Sequence, residues 1–220
     1  KARIIAGLIR FNPFLNNHLI SKQKFIRISF EKDIVIKNLQ KDDKDIYEQY
    51  EKDVKSNIKK AIKNNILINI DDSTAAIKSF RKLYIKLLKT KKTNYFYFFT
   101  ENYFSKLSQN LSKNYTVILA KKNDEIVGAA LVLISGQVAI LHLSATDRKF
   151  SKFGTASLLR HEVVKYSYNN NIKQINFGGG LTSDKNDSLL KFKMGFSKET
   201  KKFYIGKFLS NKEIYEKACG

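Results

Sequence analysis

Hydrophobic and polar positions in the second half of the chain follow the pattern of β-strands. Three apolar runs are separated by Lys122-Asn123-Asp124-Glu125 and by Ser135-Gly136, and both separators are hairpin signals. We therefore expect an antiparallel meander over residues 115–120, 126–134 and 138–145. The pattern then predicts a helix over 154–170, a strand over 172–177, a short helix over 188–194 and a strand over 203–208, followed by a terminal helical turn.

Helical spacing dominates the first half. Residues 42–64 carry an apolar residue at every fourth position, which predicts one long helix. Because its apolar stripe faces the core, we expect Lys55, Lys59 and Lys63 on or near the solvent face. The alternative is that these lysines line a cleft and bind the phosphates of a donor.

Capping residues indicate two further helices. After a strand over 66–70, Asp71-Asp72-Ser73-Thr74 supplies N-cap residues for a helix whose apolar residues have core spacing, and Thr100 or Asn102 is placed to cap another. Between these helices lies the aromatic run 95–99. Such a run can stack nucleic-acid bases, but no Arg or Gly is interleaved, so we expect it to be packed in the core.

Composition places the chain among globular proteins. With 220 residues and 25.4 kDa, of which 43% are hydrophobic, it can bury one substantial core, or one core and an extra lobe. The net charge is +21, but most of the basic residues are lysines and they are spread along the chain. A dedicated DNA-binding surface would show clustered Arg, so we expect no DNA partner. A field this positive attracts phosphorylated, nucleotide-linked or tRNA-linked substrates.

Cysteine usage and hydropathy limit the cellular location. Cys219 is the one cysteine, which excludes an intramolecular disulfide framework and every multi-cysteine metal cluster. Residues 126–143 are nearly long enough to cross a membrane, but Ser135-Gly136-Gln137 interrupts them, and two strands with a turn explain them better. We expect a cytoplasmic protein with no transmembrane segment and no metal. The alternative is a cytoplasmic protein that associates peripherally with the inner face of the membrane.

The predicted element order resembles that of the GNAT acyltransferase fold, an α/β fold with a mixed, mainly antiparallel sheet flanked by helices. Phe177-Gly178-Gly179-Gly180, followed by the run from Asp187 to Phe196 that contains Phe192-Lys193-Met194-Gly195-Phe196, resembles the FemAB-like branch, which includes the peptidoglycan interpeptide-bridge aminoacyltransferases. Phe80-Arg81-Lys82-Leu83-Tyr84 with Tyr103-Phe104 is similar to the helix pair of that family. Residues 55–61 are similar to its basic stretch, with Lys in place of Arg.

The resemblance also implies a domain organisation. Family members usually have two GNAT-like lobes, and Leu8-Ile9-Arg10-Phe11-Asn12-Pro13 is similar to the segment that closes the first. We therefore expect residues 1–30 to be the edge of a preceding lobe or a linker, and residues 31–220 to be the acyltransferase domain, the C-terminal lobe.

The resemblance implies an N-acyltransferase. Its donor would be acyl-CoA or aminoacyl-tRNA, used as a substrate with no tightly bound cofactor. Its acceptor would be an amine of a cell-wall precursor or of a surface-glycan amino sugar, either a small molecule or one linked to a lipid or nucleotide. The competing hypothesis is a noncatalytic basic fragment that binds RNA or tRNA electrostatically.

A phosphate cradle is expected where Ser144 to Gly154 leads into the helix over 154–170, since a helix N-terminus favours an anion. By resemblance this loop binds the donor pyrophosphate through an R/Q-x-x-G-x-G/A pattern. The cofactor-binding candidates are therefore Lys152, Gly154, Thr155 and Ala156, although the leading Arg or Gln of the pattern is absent.

The catalytic candidates are Lys193, His142, Asp187 and Tyr204, and the substrate-binding candidates are Ser144, Gly178, Gly179, Gly180 and Asp184. By resemblance Lys193 is the lysine of the family's Phe-Lys pair, where it would neutralise an oxyanion or a phosphate. We expect it to point into a cleft bounded by Gly178, Gly179 and His142.

The other candidates have alternatives. His142 is a general base or a packed histidine. Asp184 and Asp187 orient the acceptor amine or accept its proton, or else they cap the following helix. Tyr204 is a candidate general acid for the leaving group.

Overall fold

The structure is a computed structural model that describes residues 4–21, 25–39, 43–91 and 95–219. Its strands are β1 Ala6–Arg10, β2 Ile26–Asn38, β3 Leu67–Asp71, β4 Tyr115–Lys122, β5 Glu125–Ser135, β6 Val138–Thr146, β7 Gln174–Gly179 and β8 Thr200–Leu209. Its α-helices are α1 Asp43–Glu48, α2 Lys52–Lys63, α3 Thr74–Thr90, α4 Glu101–Leu111, α5 Arg148–Ser151, α6 Thr155–Asn169, α7 Ser188–Met194 and α8 Lys212–Cys219.

The chain forms two compact units. The central unit comprises Ile36–Gly178 and Gly195–Ser197. The terminal unit is drawn from Lys1–Val35, Gly179–Met194 and Lys198–Gly220. This division differs from the predicted boundary at residue 30, which concerns a preceding lobe and stays a prediction.

The sheet of the central unit has the strand order β7-β6-β5-β4-β3. Its strands pair antiparallel except β6 and β7, which pair parallel with Val138 opposite Gln174. The meander, the helix and the parallel strand therefore follow one another as predicted. An α/β fold with a mixed, mainly antiparallel sheet flanked by helices, as expected of a GNAT-like protein, is confirmed.

Helices cover both faces of this central sheet. On one face α3 packs against β4, β5 and β6, and its cluster with α4 contains the fully buried Phe80. On the other face α6 packs against the same three strands, with Leu159 close to Gly128. A sheet buried on both faces needs apolar residues at consecutive positions, which explains why the strand runs are so continuously hydrophobic.

The sheet of the terminal unit has the order β1-β8-β2. Both β1 and β2 pair antiparallel with β8, so that Leu8 and Arg27 flank Lys207 in one row. Gly206 lies near this row and leaves room for the Phe11 ring, because a Cβ at this glycine would lie 3.0 Å from it.

Local capping explains where α3 and α4 begin. The Ser73 hydroxyl accepts a hydrogen bond from the Ala76 amide, and the Thr100 hydroxyl accepts one from the Tyr103 amide. Each bond satisfies an amide that the first helical turn leaves without a partner. A cap within the predicted Asp71-Asp72-Ser73-Thr74 is confirmed and is Ser73, and of the two alternatives for α4 the structure has Thr100.

The single helix predicted over residues 42–64 is wrong, because the structure has α1 and α2 instead. Glu51 is in extended backbone with ψ 152°, and its amide donates to the Gly195 carbonyl at 2.9 Å. An amide bound outside the helix cannot join the helical ladder, so the helix breaks there. Ile62, at the end of the predicted stripe, is 59% exposed. Asp42 lies outside the described residues.

The predicted solvent face of this segment is confirmed. Lys59 and Lys63 are exposed, and Lys55 is half-buried and forms an ion pair with Glu48 at 2.6 Å. The buried side of α2 is formed by Val54, Ile58 and Ala61.

The prediction that the aromatic run 95–99 is packed in the core is wrong. Tyr95 is 86% exposed and Phe96 is 76% exposed, whereas Phe98 and Phe99 are half-buried. Tyr95–Tyr97 forms a single 3-10 turn that shows its rings to solvent. A turn of this kind cannot place consecutive side chains on one buried face, so the core takes only the end of the run.

Among the helices of the described residues, none combines the length and the apolar character needed to cross a membrane.

Candidate functional site

The centre of the candidate site is a β-bulge at His142. Along the β5–β6 ladder Leu131 lies opposite Leu143, and the next residue, Val132, lies opposite Leu141. His142 is therefore an extra residue in β6 with no cross-strand partner on β5. Bulges bend a strand and redirect a side chain, and they are common next to active sites.

The parallel ladder between β6 and β7 ends just before this bulge. It runs from Val138 opposite Gln174 to Ile140 opposite Asn176, and in the described residues the register extends no further. Beyond these pairs the two strands continue without a ladder between them. The sheet thus opens between β6 and β7 beyond Ile140 and Asn176.

A hydrogen bond joins His142 to Tyr103. The Tyr103 hydroxyl lies 2.6 Å from Nε2 of His142. Burial lowers the pKa of His142 and raises that of Tyr103, so both groups are neutral at neutral pH. When the other ring nitrogen of His142 carries the proton, the hydroxyl donates to Nε2 and fixes the orientation of the imidazole.

An aromatic cluster holds Tyr103 in place. Its ring stacks on Phe99 with the centroids 4.5 Å apart and meets Phe104 edge-on at 5.2 Å. Burial raises the pKa of the neighbouring Tyr84 to about 12, with a further contribution from Tyr103. Sequence reasoning placed Tyr103 only in a helix pair. A signal for Tyr103 was available in the sequence, because it lies three residues after the Thr100 cap and this spacing fixes its position on α4.

Ser144 lies two residues beyond His142 and is half-buried. Its hydroxyl is 3.5 Å from Nη2 of Arg160, while Nη1 of Arg160 donates to the Ala156 carbonyl at 3.2 Å. Burial lowers the pKa of Arg160 to about 10, which leaves the guanidinium charged at neutral pH. Sequence reasoning missed Arg160, although an arginine among the buried residues of an amphipathic helix is a usable signal.

The predicted phosphate loop is closely packed. Gly154 has φ 80°, and a Cβ there would lie 2.1 Å from the Asn57 carbonyl oxygen on α2. The Thr155 side chain is completely buried and its hydroxyl donates to the Phe150 carbonyl. Lys152 is exposed, with Nζ 5.2 Å from the centroid of the Phe153 ring. Helix packing therefore explains the glycine, and the Thr155 hydroxyl is already bonded to a backbone carbonyl.

Gly178 is the last residue of β7 that belongs to the central unit, and its backbone is left-handed with φ 74°. Its amide donates to Oδ1 of Asn176 at 2.7 Å, which closes a tight side-chain turn. Glycine is favoured here because other residues adopt this backbone at a cost.

Two lysines of the terminal unit bind the carbonyls of the glycine turn. Nζ of the buried Lys193 donates to the Gly179 carbonyl at 2.7 Å. Nζ of Lys32 donates to the Gly180 carbonyl at 3.1 Å, with the Leu181 carbonyl 3.4 Å away. Lys193 is therefore a buried, fixed cation beside the glycines and not a surface lysine. Lys32 was not predicted, because nothing in its local sequence distinguishes it from other lysines.

The structure favours the capping alternative for Asp187. Its Oδ1 accepts from the amides of Leu189 and Leu190, and its Oδ2 accepts from those of Leu181 and Thr182. These bonds, led by that from Leu190, lower the pKa of the carboxyl. An anion held by so many amides is a poor proton acceptor, so the predicted catalytic role is corrected to a structural one. Gly180 makes room for this carboxylate, since a Cβ there would lie 2.6 Å from Cγ of Asp187.

The remaining two candidates lie elsewhere in the terminal unit. Asp184 is exposed, and its carboxylate accepts from the Asn186 amide at 2.8 Å, as expected of a turn residue. Tyr204 stacks on His18 with the ring centroids 4.0 Å apart.

A buried lysine in the central unit was also missed. Lys37 is 1% exposed, and its Nζ donates to the Phe196 carbonyl at 3.1 Å and to Oε1 of Gln49 at 3.2 Å. It also lies 5.1 Å from the centroid of the Tyr50 ring. Lys37 thus fixes the segment that follows Phe192-Lys193-Met194, because a buried ammonium must keep its hydrogen-bond partners.

The sequence match supports the same region. Residues 116–213, which contain the bulge, the glycine turn and both lysine-binding carbonyls of that turn, match the FemAB family. The similarity to that family covers less than half of the chain. No curated protein matches its sequence significantly.

Solved structures share the fold of this chain. FemX matches with a TM-score of 0.68 at 12% identity, covering 92% of this chain and 69% of that one. L-PGS from Bacillus licheniformis matches with a TM-score of 0.67 at 13% identity, covering 93% of this chain and 68% of that one. The C-terminal domain of a protein described as a lysylphosphatidylglycerol synthetase, from Agrobacterium fabrum, matches with a TM-score of 0.66 at 12% identity, covering 96% and 69%. At these identities the likeness is one of fold.

Within each of the two units some predicted site residues come together. In the central unit β6 carries both His142 and Ser144, and in the terminal unit Lys193 is bound to Gly179. The predicted cleft would take residues from both units and stays a prediction. In the part of the chain that the structure describes, no three His, Cys, Asp or Glu side chains are grouped so that they could hold a metal ion.

Proposed function

We propose that this protein is an N-acyltransferase that moves an aminoacyl or acyl group to an amine of a cell-wall precursor or of a surface-glycan amino sugar. The observation that carries the proposal is the bulge at His142, at the point where β6 and β7 lose their ladder, within the region that matches the FemAB family. The match supports a transferase; the donor and the acceptor are part of the proposal.

In this proposal the acceptor amine attacks the carbonyl carbon of the donor, a C–N bond forms, and the C–O or C–S bond to the carrier breaks. His142 accepts the proton of the attacking amine at Nδ1, because burial keeps its imidazole neutral; in the tautomer that reacts, Nε2–H donates to the Tyr103 hydroxyl oxygen, which orients the ring. The carrier leaves with a proton, for which Tyr204 is the proposed source.

Lys193 is proposed to stabilise the negative charge that develops on the carbonyl oxygen. Its ammonium is buried and already held by the Gly179 carbonyl, so little rearrangement is needed during the reaction. Binding of the donor phosphate is the alternative role for the same charge.

We propose aminoacyl-tRNA in preference to acyl-CoA as the donor. The loop that would hold the CoA pyrophosphate lacks its leading Arg or Gln, its glycine is explained by contact with Asn57, and the Thr155 hydroxyl is bonded inward. The net charge of +21 suits a polyanionic carrier.

The test compares transfer to amine acceptors from charged tRNA and from acetyl-CoA. Lys193→Ala should lower kcat by roughly 10²–10³, the effect of losing one oxyanion donor. Lys191→Ala is the matched control, because Lys191 is an exposed lysine of the same helix. Equal kcat in the two variants would remove Lys193 from the mechanism, and faster turnover with acetyl-CoA would reverse the choice of donor.

Exposed aromatic rings favour a second candidate function, electrostatic binding of RNA without catalysis. Tyr95 and Phe96 show most of their ring surface to solvent, and bases stack on such rings. Tyr95→Ala with Phe96→Ala should weaken tRNA binding at least tenfold, since each stacked base contributes about 1–3 kcal/mol. Ile62→Ala, at an exposed apolar residue of α2, is the control. RNA binding without turnover under any donor would favour this function over the first.

A further inference from the structure

Exposed apolar side chains are concentrated in the terminal unit. Most of the large hydrophobic residues that remain exposed among the described residues belong to it, although it is the smaller unit. Leu8 is 59% exposed and Phe25 is 65% exposed. Clusters of this kind mark binding surfaces more often than scattered single residues do.

Two of these apolar residues and two cations lie on one face of the three-stranded sheet, and Phe25 lies next to it in sequence. Leu8, Lys207 and Arg27 are direct partners across β1, β8 and β2, so their side chains point the same way. Leu209 lies two residues after Lys207 on β8, which places it on the same face by the two-residue period. Phe25 lies in the turn just before β2, where its ring meets Phe208 edge-on at 6.3 Å. We call Leu8, Phe25, Arg27, Lys207 and Leu209 the basic apolar face.

This face borders an open groove of about 720 Å³, which the Tyr215 side chain of α8 also lines. No acidic residue is among the described residues that line the groove. Its surface therefore combines aliphatic and aromatic side chains with two cations.

We propose that the basic apolar face docks on a membrane surface that contains anionic phospholipid. The phosphate and glycerol groups of such lipids match Arg27 and Lys207, and the acyl boundary accepts Leu8, Phe25 and Leu209. A nucleic acid is a poorer match, because Leu8 and Leu209 cannot stack on bases. This inference does not depend on the transfer reaction, so either can fail without the other.

The absence of tryptophan in the sequence allows a direct test. Phe25→Trp places a single fluorescent reporter on the basic apolar face, and Ile62→Trp places one at an exposed site on α2. On mixing with vesicles of phosphatidylcholine and phosphatidylglycerol, the emission of Phe25→Trp should shift to shorter wavelength and that of Ile62→Trp should not. Equal shifts, or none for Phe25→Trp, would overturn the proposal.

Charge reversal provides the second arm, measured by sedimentation with the same vesicles. Arg27→Glu with Lys207→Glu should lower the partition coefficient by roughly 30-fold or more, since each basic residue near an anionic surface contributes about fivefold. The matched control is Lys59→Glu with Lys63→Glu, which changes the net charge equally on exposed positions of α2. Thermal unfolding checks that both double variants remain folded.

Three outcomes would refute a membrane surface as the partner. The first is equal loss of binding in the two double variants, which indicates a response to net charge alone. The second is equal partition onto vesicles of phosphatidylcholine only. The third is a dimer in sedimentation velocity that protects the Phe25→Trp reporter without vesicles, which would assign the face to a second copy of the chain.

Discussion

Replacing Gly154 by Ala tests whether this glycine serves helix packing or a donor phosphate. Gly154 has φ 80°, a left-handed conformation that costs a residue with a Cβ about 1–2 kcal/mol. The new Cβ would also lie 2.1 Å from the Asn57 carbonyl oxygen. A real Cβ needs at least about 3 Å, so α6 and α2 must separate by roughly 1 Å, and such overpacking costs about 1–3 kcal/mol.

Together these contributions predict that Gly154→Ala lowers the free energy of unfolding by about 2–5 kcal/mol. For a chain of this size the corresponding fall in Tm is about 5–15 °C, which differential scanning calorimetry measures readily.

Gly136→Ala is the matched control. Gly136 is also left-handed, with φ 56°, but a Cβ there would meet no atom within 4 Å. Its substitution should cost only the backbone contribution of about 1–2 kcal/mol. Equal destabilisation by the two variants would refute the packing argument. A higher donor KM in Gly154→Ala without the extra loss of stability would restore the phosphate-binding role.

Three further outcomes are expected. Phe80→Ala empties the centre of the α3 cluster and should destabilise by about 3–5 kcal/mol in urea unfolding, whereas Tyr95→Ala should have almost no effect. Burial lowers the pKa of His142 below its ordinary 6.5, so the unfolded chain binds a proton at this residue at a higher pH than the folded chain does. The free energy of unfolding should therefore decrease as the pH falls below about 6.5. In His142→Phe the plot of this free energy against pH should be flatter in that range. Asp187→Ala removes the acceptor of four amides and should accelerate hydrogen exchange at Leu181, Thr182, Leu189 and Leu190, while exchange in α4 stays unchanged.

Local signals in the sequence predicted much of the fold. The caps at Ser73 and Thr100, the hairpin turn at Asn123-Asp124 and the apolar runs of the meander depend on neighbouring residues alone. Asn123 and Asp124 both have positive φ, as the turn between two twisted strands requires. Such features can be predicted because the interactions that stabilise them lie within a few residues of chain.

The sequence-based predictions failed where a residue far along the chain determines the local structure. The break before α2 depends on the Gly195 carbonyl, and the bulge at His142 depends on the register that β5 imposes. A one-residue change of register has no local signature. The same holds for Lys37, because its buried ammonium binds the Phe196 carbonyl, 159 residues along the chain, and nothing in its local sequence distinguishes it from the other lysines.

The strand order of the terminal unit has a consequence for synthesis on the ribosome. Both β1 and β2 pair only with β8 within that sheet, and Ala6 meets Leu209. Since synthesis is vectorial and contacts between distant residues form slowly, the first two strands emerge long before their shared partner exists. The central unit is almost continuous in sequence and can fold in the meantime. We therefore expect nascent chains that stall before residue 200 to expose unpaired strand edges and to be recognised by chaperones.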